Sequence, residues 1–332
     1  MKGFTIAAAL FLLSIGAFCQ ETATLLPSSY AYRSIGARAA GLSGMQVACA
    51  DDPSALYTNP ACLGYLVAPN SLFGSITPLS FGRSLSNLAA TLAVGTNAHV
   101  GFGLVAMNTG TITRRDAAGT LQGTSTLWQG TAAVAASYML TDQSSVGVAG
   151  RLHIASAPDP ASSGTGIGVD IGYVTSVLGM ATLGASLQNL GTMTIGSERF
   201  ALPWMLRVGV CTVIPFEEQV ATTTSATLGT SDTIVIPSSE CVLFGIEAQY
   251  RAQSPTPTLI VGTEIIPHSL VAIRGGIAIY GESLGVPQLI PGTFFSGGVS
   301  LHLPSALRLD YAIARGVTTA LVHTLSIVAR LD

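Results

Sequence analysis

"ECVLFGIEAQYR", residues 240–251, alternates strictly. Val242, Phe244, Ile246, Ala248 and Tyr250 share one parity. Cys241, Glu247, Gln249 and Arg251 share the other. A period of two is the mark of a β-strand whose faces meet different surroundings. Working outward, the same pattern recurs in segments of about ten residues: 71–79, 85–95, 98–109, 126–140, 144–155, 164–176, 179–190, 202–214, 240–251, 257–267, 270–280, 294–303, 306–315 and 321–331. That makes fourteen candidate strands, an even number. Short turns such as "GTNA" and "TDQS" alternate with longer connections such as "GTITRRDAAGTLQGTST", residues 110–126. This is the signature of an all-β, transmembrane antiparallel β-barrel in an outer membrane, with short periplasmic turns and longer outer loops. Pro215 to Glu240 breaks the rule. It is long, yet its place in the count is periplasmic, so it is either an excursion or an uncounted strand pair near "TIVI".

Composition agrees. Of 332 residues, 48% are hydrophobic and 9% charged, and the mean hydropathy is +0.55. Soluble domains average about 25% charged residues. After the N-terminus no run of about 18 apolar residues could form a spanning helix. An apolar soluble β-protein is the alternative. The net charge of −3 excludes a polycationic nucleic-acid surface. Lys2 is the only lysine, so positive charge rests on arginine, which suits bidentate pairing with carboxylates. Codon usage accounts for this as simply.

"MKGFTIAAALFLLSIGAFCQ" reads as a signal peptide, with Lys2 before a short apolar core and small residues at Ala17 and Cys19. The expected organisation is a signal peptide over 1–19, an N-terminal segment without strand periodicity over 20–70, and a barrel over 71–332.

Parity sorts the charges of the strands. Arg151, Asp170, Arg207, Glu247, Arg251, Glu264, Arg274, Arg308 and Asp310 fall on the inward face, with His153. A charge on the lipid face at mid-bilayer would cost about 2–4 kcal/mol. The inward set reads as a structural ion-pair lattice or, less simply, as a polar pathway. Cys211 and Cys241 face inward on consecutive strands, and Cys49 and Cys62 precede the barrel. Both pairs are candidates for disulfides.

Catalytic motifs do not survive inspection. "GESLG", residues 281–285, lies between two strands without the helix a nucleophile elbow needs. "GFGLVA", residues 101–106, falls inside a strand, where a dinucleotide loop cannot form. The five histidines have no metal spacing. The expectation is a protein that is not an enzyme and has no cofactor or metal.

The stretch "SIGARAAGLSGMQVACADDPSALYTNPACLGYL", Ser34 to Leu66, resembles the start of the PorV/PorQ family of outer-membrane barrels, relatives of the FadL-like transporters of hydrophobic compounds. Gly36, Arg38, Gly41, Gly44, Ala50, Asp51, Asp52, Ala55, Tyr57, Asn59, Pro60, Ala61 and Leu63 carry the likeness, and Cys62 stands where the pattern has glycine. Asp310, Tyr311, His323 and Ser326 extend it to the last two strands. The resemblance implies a fourteen-stranded barrel plugged by its N-terminal segment. It implies a role in type IX-like protein secretion or surface attachment, with C-terminal domains of secreted proteins as partners. The alternative it implies is a FadL-like passage for hydrophobic small molecules. Outer-membrane lipid surrounds the barrel in either case.

Overall fold

Alternating strands with one apolar face in lipid cannot leave an edge unpaired, so the sheet must close. In the computed structural model it does. The structure describes residues 33–157, 163–216, 218–224, 231–237, 240–252, 254, 256–280, 293–304, 306–315 and 321–331. The signal peptide at 1–19, residues 20–32 and the 281–285 motif lie outside them. The strands are β1 (Ser71–Leu79), β2 (Arg83–Val94), β3 (Ala98–Arg115), β4 (Leu121–Thr141), β5 (Ser144–Ser156), β6 (Gly164–Val177), β7 (Ala181–Ile195), β8 (Glu198–Ala201), β9 (Met205–Pro215), β10 (Glu218–Thr224), β11 (Ser231–Pro237), β12 (Cys241–Arg251), β13 (Thr258–His268), β14 (Val271–Tyr280), β15 (Thr293–Leu303), β16 (Leu307–Arg315) and β17 (Leu321–Arg330).

Fourteen of these are barrel staves, each antiparallel to its neighbours, and β1 pairs with β17 to close the ring. All fourteen expected segments became staves. β8 adds only a short outer hairpin to β7. β10 and β11 pair with each other in a separate two-stranded sheet. The connection after Pro215 therefore is a strand pair, but one that leaves the barrel, and Phe216 N–H donates to Glu240 O at 2.9 Å where it departs. The expected loop over 110–126 is corrected. β3 and β4 continue their ladder through Thr111↔Thr126 and Thr113↔Thr124 to a tight turn capped by Asp116, which accepts from Ala118 N at 3.0 Å and Thr120 N at 2.8 Å. Threonine-rich sequence pairs well in a sheet, so the hairpin simply extends beyond the bilayer.

Facing follows parity. Phe244, Ile246, Val208, Ile273, Ile277, Leu309 and Tyr311 are exposed on the outside, while Glu247, Arg207, Arg274, Arg308 and Asp310 are buried inside. "GFGLVA" lies within β3, its glycines turned inward.

The inward wall is rich in Gly, Ala and Ser, and the space they leave is filled. Residues Ile35–Leu66 run through the lumen. Their short helix Ala37–Gly41 packs on β14–β17, one 3-10 turn (Pro53–Tyr57) on β1–β3, and a second (Pro60–Tyr65) on β3–β6. Leu42, Leu56, Leu63, Met45 and Val47 are among the most buried side chains of the molecule.

A candidate functional site in the lumen

Local sequence shapes the inner segment before the wall touches it. The Asp52–Pro53 and Asn59–Pro60 steps each start a 3-10 turn with proline at its first position. Asp52 caps the first turn, accepting from Ser54 N at 2.9 Å, and Asn59 caps the second, accepting from Ala61 N at 3.1 Å. Gly36, at φ 90°, turns the chain into the helix while its Cα lies against the Phe73 ring. Ala37 N–H then donates to Ser326 Oγ at 2.7 Å.

Buried charge anchors one side. Arg38 pairs with Glu264 at 2.6 Å and with Asp51 at 3.4 Å. Glu264 also holds Arg274 at 2.6 Å, and Arg274 reaches Asp310 at 3.2 Å. Arg308 completes the chain, 2.9 Å from Asp51, 2.5 Å from Asp52 and 3.0 Å from Asp310. Three residues of the inner segment and four of β13, β14 and β16 thus form one lattice. Burial pushes the Asp51 carboxyl up, but Arg308, Arg38 and Arg274 outweigh it and hold it well below the usual carboxylate range. Burial also pushes Asp52 up. Arg308 opposes that shift and the charge of Asp51 reinforces it.

Main-chain contact anchors the opposite side. Tyr57 Oη donates to Leu88 O at 2.5 Å and lies 3.1 Å from Leu104 O. Asn59 Nδ2 donates to Val47 O at 2.7 Å and Tyr173 O at 3.1 Å. Gln188 Nε2 caps Tyr57 O and Thr58 O, each at 2.7 Å, and Ser186 Oγ donates to Thr58 O at 2.7 Å. Arg151, ion-paired to Asp170, donates to Tyr57 O at 3.1 Å. Asp170 also accepts from Asn189 N at 2.8 Å where a bulge in β7 turns that amide inward. The approach is close enough to demand glycine. A Cβ on Gly172 would collide with Asn59 Oδ1, and one on Gly184 with Val47 O.

A third anchor lies between them. Glu247 Oε2 accepts from Gln46 N at 2.8 Å and Val47 N at 2.9 Å, and Arg207 binds Glu247 at 2.6 Å and Gly44 O at 2.5 Å. Arg251 joins through Gln249, at 3.2 Å. Of the expected inward set, Arg151, Asp170, Arg207, Glu247, Glu264, Arg274, Arg308 and Asp310 are thus joined in ion pairs. Sequence reading missed Gln188 and Ser186, whose inward parity was available, and the glycine bed, whose role needs the inner segment in place.

The four cysteines are unpaired in the structure. In the β9–β12 ladder Cys211 lies opposite Gly245, while Cys241 lies opposite Pro215. That offset of four residues is roughly 13 Å at about 3.3 Å per residue, beyond the reach of a disulfide. Cys62 packs with Leu56, Tyr57 and Leu63, its Sγ 3.5 Å from Val47 O, whereas Cys49 packs in a different cluster with Cys211. Burial pushes the Cys62 thiol up to about 12.

On the long-loop side of the inner segment a cavity of about 370 Å³ remains open. Arg33, Arg251, Arg315, Leu85, Tyr280 and Phe294 are among its lining residues, and no described lining residue is a carboxylate. Tyr280 meets Phe294 edge to face with centroids 5.1 Å apart, and the Arg251 guanidinium sits 5.4 Å from the Tyr280 ring centre. The cavity is therefore an aromatic wall beside cationic heads.

A closed fourteen-stranded barrel, apolar outside and filled by its own N-terminal segment, has the fold of the FadL-type outer-membrane barrels. The Pseudomonas putida toluene transporter TodX superposes with a TM-score of 0.60 at 13% identity, covering 89% of this chain and 97% of that one. The Ralstonia pickettii toluene transporter TbuX gives 0.54 at 16%, covering 90% and 99%. A Pseudomonas aeruginosa FadL homologue gives 0.62 at 12%, also covering 90% and 99%. No protein-family model and no curated protein sequence matches the chain.

Proposed function

We propose that this protein is a passage through the outer membrane for small hydrophobic or amphipathic molecules, plugged at rest by residues 20–70 after removal of a signal peptide at 1–19. The cavity above the inner segment carries the reading. Its Tyr280–Phe294 wall suits an apolar body, and Arg33, Arg251 and Arg315 suit an anionic head. A molecule resting there touches Ala40 and Ser43 of the inner segment, which Arg38 ties to Glu264 and through it to Arg274. Onward movement requires the inner segment to shift, which means exchanging those ion pairs. The structural likeness to two toluene transporters and a FadL homologue supports this reading. It lends no support to the secretion role that the N-terminal motif resembles.

Uptake by proteoliposomes tests it. Vesicles bearing the protein should take up a fluorescent medium-chain fatty acid or a monoaromatic faster than empty vesicles, and Phe294→Asp should abolish the difference. Absence of uptake and of saturable binding, together with retention of the C-terminal domain of an exported protein, would overturn the passage in favour of secretion.

A further inference from the structure

Cys49 and Cys211 stand out because no structural task explains both. Cys49 lies in the inner segment, half-buried, and Cys211 on β9, buried and facing the lumen. They pack in one cluster with Met45, Val47 and Leu243. Gly245, opposite Cys211 in the β9–β12 ladder, faces Met45, and Gly209, two residues before Cys211 on the same face, meets Val47, so the stretch leading into Cys49 lies on the wall around Cys211. Their neighbourhood is already fixed on both sides. Arg38 Nη1 donates to Cys49 O at 2.7 Å, and Gln46 and Val47 amides bind Glu247 at 2.8 and 2.9 Å. Two cysteines 162 residues apart in sequence (211 − 49) are therefore held in one cluster, one on the inner segment and one on the wall.

We propose that Cys49 and Cys211 form a reversible disulfide that staples the inner segment to the barrel wall. The outer membrane borders an oxidising compartment, where disulfides form by exchange with an oxidant that is itself a disulfide. Cys49, the more accessible thiol, loses its proton and attacks one sulfur of that oxidant. A mixed disulfide forms and one thiol leaves. Cys211 then loses its proton and attacks Cys49 Sγ, and the second thiol leaves. Two S–H bonds are exchanged for one S–S bond, and the oxidant's S–S bond is reduced to two thiols. The product would lock the stretch around Met45–Ala55 in place without disturbing either anchor. This inference does not depend on the passage carrying any particular molecule.

The full chain folded in detergent is treated with 2,2′-dithiodipyridine, alkylated with a maleimide, and mapped by non-reducing peptide mass spectrometry. The expected product is one linked peptide joining Cys49 to Cys211, lost in Cys49→Ser and in Cys211→Ser and kept in the double variant Cys62→Ser/Cys241→Ser. Oxidation should also slow amide exchange in residues 44–56 at least several-fold, with reductant restoring it. Alkylation of all four cysteines after oxidation, or a linked peptide joining any other pair, overturns the proposal. Neither readout involves transport, so a negative result here leaves the proposed passage standing.

Discussion

On the β13–β16 side of the lumen the inner segment is held by charge, and on the β2–β7 side by backbone. The first side uses Arg38, Asp51 and Asp52 against Glu264, Arg274, Arg308 and Asp310. The second uses Tyr57 and Asn59 against main-chain carbonyls, over Gly172 and Gly184. A guanidinium spans several ångströms, so the charged wall can stand off from the segment. A carbonyl cannot reach out, so the other wall must come to the segment, and only glycine lets it. One interface should therefore fail by losing charge balance and the other by gaining a methyl group.

The largest break is expected from Arg308→Met. It leaves Asp51, Asp52 and Asp310 without their shared partner, and removing one member of a buried ion pair costs about 3–5 kcal/mol. Urea unfolding followed by the mobility of unheated protein on gels should show that loss. Next is Gly172→Val, where overpacking against Asn59 should cost about 1–3 kcal/mol and raise amide exchange in 57–66 while sparing 37–42. If exchange rises equally in both stretches, the two sides are one cooperative unit and the contrast drawn above is wrong. Tyr57→Phe removes one donor and should cost about 0.5–1.5 kcal/mol by the same unfolding assay.

The smallest effect is acid. The depressed pKa of Asp51 contributes stability that is complete above the ordinary carboxyl value of 3.8 and is lost as pH falls from there toward its folded value. Asp52, whose pKa is raised, contributes with the opposite sign and offsets part of that loss. Protection factors, which remove the intrinsic pH dependence of exchange, should fall modestly around Arg38–Asp52 between pH 6 and pH 3 and hold around Tyr57–Leu66. A fall in protection confined to Tyr57–Leu66 would reverse the assignment of charge to the β13–β16 side.

Much of this was legible without coordinates. The fourteen staves and the facing of Arg207, Glu247, Arg274 and Asp310 all follow from parity, because a strand between lipid and lumen repeats its demand every second residue. Two kinds of feature were not legible. The extension of β3 and β4 beyond the bilayer has no lipid to impose alternation, so "GTITRRDAAGT" reads as loop. The separation of the β10–β11 hairpin from the barrel sheet was not legible either, although the strand pair itself was one of the two readings of that connection.

The sequence by itself determined that the chain closes into a barrel, which face of each strand meets lipid, and that both signs of charge collect inside. Only the tertiary structure decided which charge meets which. Arg38 finds Glu264 across 226 residues, and Cys49 lies beside Cys211 rather than Cys62. The reason is physical. Facing is set by a medium that acts on every residue locally, whereas a partner inside the lumen is set by where a distant segment happens to be threaded, and no short period records that.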